Sequence, residues 1–394
     1  MANRARILFL SYSGPLPAND GKRQRTMALL NALEEVYTVD FLIIDNQEAY
    51  TQALSEYKSS DVNFLLFEAP RPKLLSKVQK QVGLLFSKDY ALSSHIQQLI
   101  QSNNYLFIFA RYIQPVVCIP EGQKLVCDID DDFNELFSTR IITESSWLKR
   151  LRLKQIYWLN RPIYERLLRR LDLALFSKVE NRKWKGVVVP NLPFQLLLNL
   201  TTSSFRPCTS SRILFVGKLT YEPNVKGLAW FLSQVWPLLR MNLPEIHLTV
   251  VSNVAVKDTA LVELLNSQPD ILLKVKVKDL EAEYQEHAIT VAPIFQGGGS
   301  SIKIAESLFM GRPVVTTSFG ARGFGEAVDI SLVSSYDSPV EFSNGIAKQF
   351  VDVERLKQKQ FDTYTWAQTR YYFYNWKKNI QQALTDHLAL DVPS

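Results

Sequence analysis

Cysteine and histidine are scarce in this 394-residue chain, and what they fail to form is informative. Cys118, Cys127 and Cys208 are widely spaced, each in or near an apolar run, with no CxxC pair. That excludes a disulfide framework and suits reduced thiols in the cytosol. His95, His247, His287 and His387 are scattered, without HExxH or a Cys/His cluster, so no zinc site is expected. No run of about 18 apolar residues occurs, which argues against a membrane-spanning helix. The apolar stretch in "MANRARILFLSYSGPLP" is too short for a signal-peptide core and reads as a first strand. The GxSxG elbow, the Walker pattern and the dinucleotide GxGxxG are missing as well.

What is present is an ordinary globular balance, 46% hydrophobic and 21% charged residues, so long disorder is not expected. The formal charge of +6 is a mild basic bias, compatible with acidic small molecules or anionic lipid. The length exceeds one ordinary core and suits two domains of roughly 150–200 residues.

Short β-rich runs alternate with amphipathic helical runs, the pattern of parallel α/β sheets. In the first half the expected strands are 6–10, 38–44, 62–67, 105–110, 124–129, 171–176 and 186–190. Between the first two, "KRQRTMALLNALEEV" reads as a helix with Met27, Leu30 and Leu33 at core spacing. A proline- and serine-containing stretch, 190–211, interrupts the rhythm and reads as a linker. The series then restarts with strands expected at 212–217, 246–251, 271–277, 288–293, 312–317 and 329–333. Residues 364–388 read as one long aromatic-rich helix. The expected architecture is α/β with two Rossmann-like domains. The first is 1–190, joined by a C-terminal helix within 364–394 that crosses back to it; the second is 191–363. Ligands in such sheets bind beyond the carboxyl ends of the strands.

The most pointed segment is "VAPIFQGGGSSIKIAESLFMGRPVV". Gly297, Gly298 and Gly299 let backbone approach a ligand closely. Ser300 and Ser301 can cap the following helix, whose first N–H groups attract negative charge. Lys303 has the wrong sign for that dipole and makes sense beside a bound anion, while Glu306, one turn on, can accept from sugar hydroxyls. On the loop alone, a plain strand–loop–helix turn stands equally well.

The wider segment, "GGGSSIKIAESLFMGRPVVTTSFGARG", resembles the donor-binding region of family 4 glycosyltransferases, retaining enzymes of the GT-B fold with two facing Rossmann-like domains. Gly297, Gly299, Ser300, Lys303, Glu306, Gly311, Pro313, Val314, Val315, Thr317, Gly320 and Gly323 stand at the places of the family pattern. Glu306 matches the second of the family's paired glutamates; Gly298 stands where the first would be. The restart strand, "RILFVGKLTYEPNVKG", resembles the family's F-V-G-[RK]-L start, in which two basic residues grip the donor diphosphate. Lys218 matches the first, and Lys226 is the counterpart of the second across the additional residues "YEPN"; both also read as solvated surface lysines.

The resemblance implies that the donor sits in the C-terminal domain, with Lys218, Lys303 and Glu306 catalytic and the backbone of Gly297–Ser301 close to phosphate and sugar. In the N-terminal domain "PLPANDGKRQR" resembles the family's P-x-x-x-G-x-x-x-R segment. There Gly21 allows close approach to the donor, Arg25 is placed to reach phosphate, and Arg111 faces the cleft. Asp130, in "CDIDDDF", is given an acceptor-side or structural role; the alternative is a metal-binding DxD as in single-Rossmann glycosyltransferases. The Pro190–Asn191 pair resembles the family's V-P-N exit and equally reads as an ordinary turn. Expected partners are a nucleotide-sugar donor, as substrate, and a glycan or lipid-linked acceptor in cell-surface polysaccharide or glycoconjugate synthesis. No metal or other cofactor is expected, and no nucleic acid. Two other readings remain open: a GT-B nucleotide-sugar 2-epimerase, and a non-catalytic nucleotide-sugar binder. The basic, aromatic stretches 147–171, with a break at Pro162, and 370–380 suit an anionic membrane face. They also read as core-facing aromatics with a solvated basic side. The expected location is cytoplasmic, or peripheral at the cytoplasmic face of the membrane.

Overall fold

The computed structural model describes residues 4–18, 20–68, 82–181, 186–199, 205–268 and 270–388. The chain divides into two compact units, one of Met1–Pro190 with Phe373–Ser394, the other of Asn191–Tyr372. Part of the stretch read as a linker, 200–204, lies outside the described residues. Its earlier part is structured: Phe194–Asn199 is a helix, Leu192, Phe194 and Leu196 are buried, and the segment belongs to the second unit.

In the first unit the strands are β1 (Arg6–Ser11), β2 (Thr38–Ile44), β3 (Val62–Phe67), β4 (Tyr105–Arg111), β5 (Leu125–Ile129), β6 (Leu173–Phe176) and β7 (Gly186–Val188). They form one sheet in the order β3-β2-β1-β4-β5-β6-β7, every pair parallel. A parallel sheet is covered by helices on both faces, which is why β1, β2 and β5 are almost continuously apolar rather than alternating. Helix α1 (Gly21–Glu34) follows β1, its N-terminus capped by Asp20, whose carboxylate accepts from Arg23 N–H at 3.0 Å. Leu30 and Leu33 are buried, whereas Met27 is only partly so. Helix α2 (Phe133–Thr143) is capped by Asp132, and helix α3 (Trp147–Arg169) runs unbroken through Pro162. The expected break is absent because Pro162 lies on the solvent side, where water can serve the carbonyl left without its donor.

In the second unit β8 (Arg212–Val216), β9 (His247–Ser252), β10 (Ile271–Val275), β11 (Ile289–Ala292), β12 (Val314–Thr316) and β13 (Val333–Ser335) form a parallel sheet in the order β10-β9-β8-β11-β12-β13. The strand expected at 329–333 is displaced. Asp329 closes a helix, Ser331 turns the chain at φ 64°, and β13 starts at Val333. Helix α4 (Glu222–Trp230) follows β8, and helix α5 (Ile302–Phe309) follows the triglycine loop.

The C-terminal helix is two helices rather than one. Helix α6 (Val353–Arg370) stops at Tyr371, and helix α7 (Phe373–Leu388) belongs to the first unit. Trp376, Ile380 and Leu384 on α7 are buried, Trp376 Nε1–H donates to Pro190 O at 2.8 Å, and Lys377 pairs with Glu35. Of the stretch 370–380 expected to meet a membrane, the tryptophan is therefore core; Tyr372 and Tyr374 remain exposed.

Both sheets reverse strand order beside their first strand, between β1 and β4 and between β8 and β11. Such switch points open a crevice beyond the strand ends. In the second unit the Gly217–Lys218 loop and the triglycine loop flank that point.

Candidate functional site

The second unit's site is built on two close approaches at glycines. A Cβ at Gly227 would sit 1.9 Å from the Pro293 carbonyl oxygen, so α4 lies directly on the loop after β11. A Cβ at Gly217 would meet Asn224 Nδ2 at 3.0 Å and Lys303 Nζ at 3.1 Å. Lys303, from α5, thus reaches back to the end of β8. Its ammonium donates to Asn224 Oδ1 at 2.6 Å and lies 5.0 Å from the centroid of the Phe215 ring. Asn224 Nδ2 in turn donates to Lys218 O at 3.0 Å, closing the loop that carries Lys218. Burial pushes the Lys303 ammonium down to about 8, with Glu306 acting in the opposite direction.

Asn224 is the residue that sequence reasoning missed. It lies in "YEPN", read as additional residues between two lysines, and its side chain ties both loops together. The signal was the Pro223–Asn224 pair at a helix start, where a short amide side chain bonds nearby backbone. Lys218 is exposed; of its atoms it is the carbonyl that Asn224 holds. Lys226 sits on the outer side of α4 in an exposed pair with Glu222 at 2.7 Å. The structure therefore gathers Lys303, Gly217 and Asn224 at the strand end, with Lys218 beside them and Lys226 turned to solvent.

The triglycine loop is held from several sides. Gly297 has φ 152°, a backbone state that favours glycine, and Gly298 is buried. Asn191 Nδ2 donates to Ser300 O at 3.0 Å and to Ser300 Oγ at 3.1 Å. Ser301 occupies the cap position of α5 in extended backbone, yet its hydroxyl makes no capping bond, contrary to the expected cap. In the first turn Ile304 N–H donates to the Ser301 carbonyl at 3.1 Å instead. Glu306 is buried, and Tyr284 O–H donates to its Oε2 at 3.1 Å, which orients the carboxylate. Beyond β12, Thr316 Oγ1 donates to Ala292 O at 2.5 Å and Thr317 Oγ1 to Ile294 O; Gly320 N–H donates to Thr317 Oγ1 at 3.0 Å. A Cβ at Gly320 would overlap Thr316 Oγ1 at 2.2 Å. The motif's small residues thus pack its two strand ends together.

Residues 210–352 match the sequence model of the family described as "Glycosyl transferases group 1". The matched residues all lie within the second unit. An "Uncharacterized 44.6 kDa protein in cps region" of Klebsiella pneumoniae is 22% identical over 406 residues, covering 93% of this chain and 96% of that protein. Among solved structures, OtsA in its apo form superposes with a TM-score of 0.68 at 12% identity, over 99% of this chain and 100% of the other. TarM gives 0.67 at 8% identity over 96% and 98% of the two chains. HepE from Anabaena, in complex with UDP and glucose, gives 0.64 at 14% identity over 97% and 100%. These likenesses establish the GT-B fold.

In the first unit the predicted residues are brought together as buried ion pairs. Arg25 donates to Asp128 from Nε and from Nη2, the latter at 2.6 Å, and from Nη1 to Val189 O. Arg111 Nη1 lies 2.7 Å from Asp128 Oδ2, and its Nη2 lies 2.9 Å from Asp130 Oδ2. All four side chains are at least nine-tenths buried as residues. Arg25 and Arg111, expected to reach phosphate or face a cleft, are engaged by the two aspartates that the DxD alternative would have given to a metal. Tyr112 holds φ 70°, steadied by its N–H bond to Asp128 O and by Arg111 stacked 4.0 Å over its ring. Gly21 opens α1 directly after the Asp20 cap. The neighbouring Asp131 was overlooked. Burial and the Asp130 charge push its carboxyl up to about 6, although Lys22, Arg111 and Lys178 pull it down. Lys178, its Nζ 2.6 Å from Glu135 Oε2, is pushed down to about 8 by burial.

Proposed function

We propose that this protein is a glycosyltransferase that takes its sugar from a nucleotide-sugar bound in the second unit, and that Lys303 is the cation facing the diphosphate. The observation that carries the reading is the Lys303–Asn224 pair. A partly buried ammonium held by a neutral amide keeps its charge for an incoming anion, whereas a carboxylate partner would cancel it. The N-terminus of α5 adds the positive end of a helix dipole. Lys218 is the second cation, on the adjoining loop. Glu306, oriented by Tyr284, accepts from the nucleotide ribose, and the Gly297–Ser301 backbone lies along phosphate and sugar. As the diphosphate leaves, fixed positive charge stabilises it without metal. Pairing of Asp128 and Asp130 with two arginines supports the metal-free reading.

The family 4 resemblance supports retention of configuration, with the donor's own phosphate taking the acceptor proton. The acceptor is a glycan or lipid-linked sugar held by the first unit, where Asp131 is the carboxyl with a shifted proton affinity. The relative in a cps region supports a place in cell-surface polysaccharide synthesis. Calorimetry with UDP, GDP and ADP, each with and without EDTA, tests the donor site. One diphosphate should bind, and EDTA should leave its affinity unchanged. A panel of nucleotide-sugars, with and without lipid-linked or oligosaccharide acceptor, tests the reaction. Donor isomerisation or hydrolysis without acceptor would make it an epimerase, and binding with no turnover a non-catalytic binder.

A further inference from the structure

At about 100° per residue, α3 presents two opposed faces. One is buried: Tyr164, Leu167 and Leu168 join the first unit's core, and Asn160 ties the helix to the preceding segment through bonds with Leu85 N–H and Gly83 O. The opposite face should be polar, and it is not. Trp147 and Trp158 are 71% and 66% exposed, and Leu148 and Leu151 are each 60% exposed. On the helical wheel these residues fall on the outward side, opposite the buried stripe. Cations border them on both flanks, Arg150, Lys154 and Arg161 on one and Arg152 and Arg166 on the other. Glu165 is the helix's single acidic residue, and it is paired with Arg161 at 2.9 Å. Ile142, in the last turn of the preceding helix α2, is 77% exposed as well.

Large exposed tryptophans flanked by one sign of charge call for an occupant that is apolar and anionic together. A second copy of the same face would oppose cations to cations. A polyanion alone would leave the leucines in water. An anionic bilayer meets both demands, with indole and leucine side chains in the headgroup boundary and lysine and arginine at the phosphates.

We propose that the outward face of α3, centred on Trp147, Leu151 and Trp158, docks the protein on an anionic lipid surface. The anchor is interfacial, since among the described residues no helix is long and apolar enough to cross a membrane. It operates without donor or acceptor, so its test is separate from that of the transfer reaction.

The test is flotation of the full chain with vesicles of phosphatidylcholine alone or of equal parts phosphatidylcholine and phosphatidylglycerol, with tryptophan emission recorded in parallel. The expected result is enrichment on the anionic vesicles with a blue-shifted emission, weakened by salt. W147A/W158A should lower vesicle partitioning at least about tenfold, and K154Q/R161Q should lower it and flatten the salt dependence. Both pairs are solvent-facing, so unchanged thermal melting keeps a folding defect apart from lost docking. Equal partitioning to neutral and anionic vesicles overturns the proposal, as does full binding by W147A/W158A. Concentration-dependent dimerisation abolished by W147A/W158A, without vesicle binding, would assign the face to a second copy instead.

Discussion

Replacing Lys303 with methionine removes one charge while keeping most of the side chain's length. In the folded unit that charge sits 2.6 Å from Asn224 Oδ1, at the end of β8, packed closely against Gly217. Two opposite unit charges 4 Å apart interact by about 4 kcal/mol at an effective dielectric of 20. Screening by salt leaves roughly 2–4 kcal/mol for the contact with a diphosphate, or about 30- to 1000-fold in nucleoside-diphosphate affinity and in kcat/KM. Titration calorimetry across pH carries the sharper signature. The Lys303 ammonium titrates near 8 in the free protein, so diphosphate affinity should fall as pH rises through that value; Lys303→Met should lack that dependence. Stability should move the other way. A lysine with a depressed folded pKa weakens the fold below about 8, where it is charged in both states, and the penalty is relieved as pH rises toward the ordinary 10.5. Lys303→Met should therefore be more stable at neutral pH, by on the order of 1–3 kcal/mol, while binding more weakly. A variant that binds within about threefold of the parent, or keeps the parent's pH slope, would refute the reasoning.

Two further substitutions probe the scaffold. Asp128→Ala leaves Arg25 and Arg111 as buried charges without their shared carboxylate, and should destabilise the first unit by about 3–5 kcal/mol in urea unfolding; a loss under about 1 kcal/mol would contradict the buried-pair assignment. Gly227→Ala drives a methyl group into the Pro293 carbonyl, and should cost about 1–3 kcal/mol and weaken diphosphate binding through a shifted triglycine loop; wild-type melting and affinity would contradict it.

Much of the fold was legible because parallel strands are buried on both faces, and runs such as "RILFL" and "TVDFLII" declare themselves by composition. Boundaries set by single residues were not legible. The positive φ at Ser331 and the stop at Tyr371 depend on what packs around them. Likewise Pro162 looked like a break, and burial alone shows that it lies on the free side of α3.

The sequence by itself determined the site's vocabulary: glycines where backbone must approach, a lysine misplaced for its helix dipole, and a glutamate one turn on. Tertiary structure decided the grammar. Lys303 and Asn224 are 79 residues apart and meet because β8 and β11 are neighbours in the sheet, an adjacency no local spacing encodes. It also decided that Arg25, Arg111, Asp128 and Asp130 neutralise one another. Removing four such charges from water together is costly unless they pair, and which pairs form is settled by where the strand ends converge.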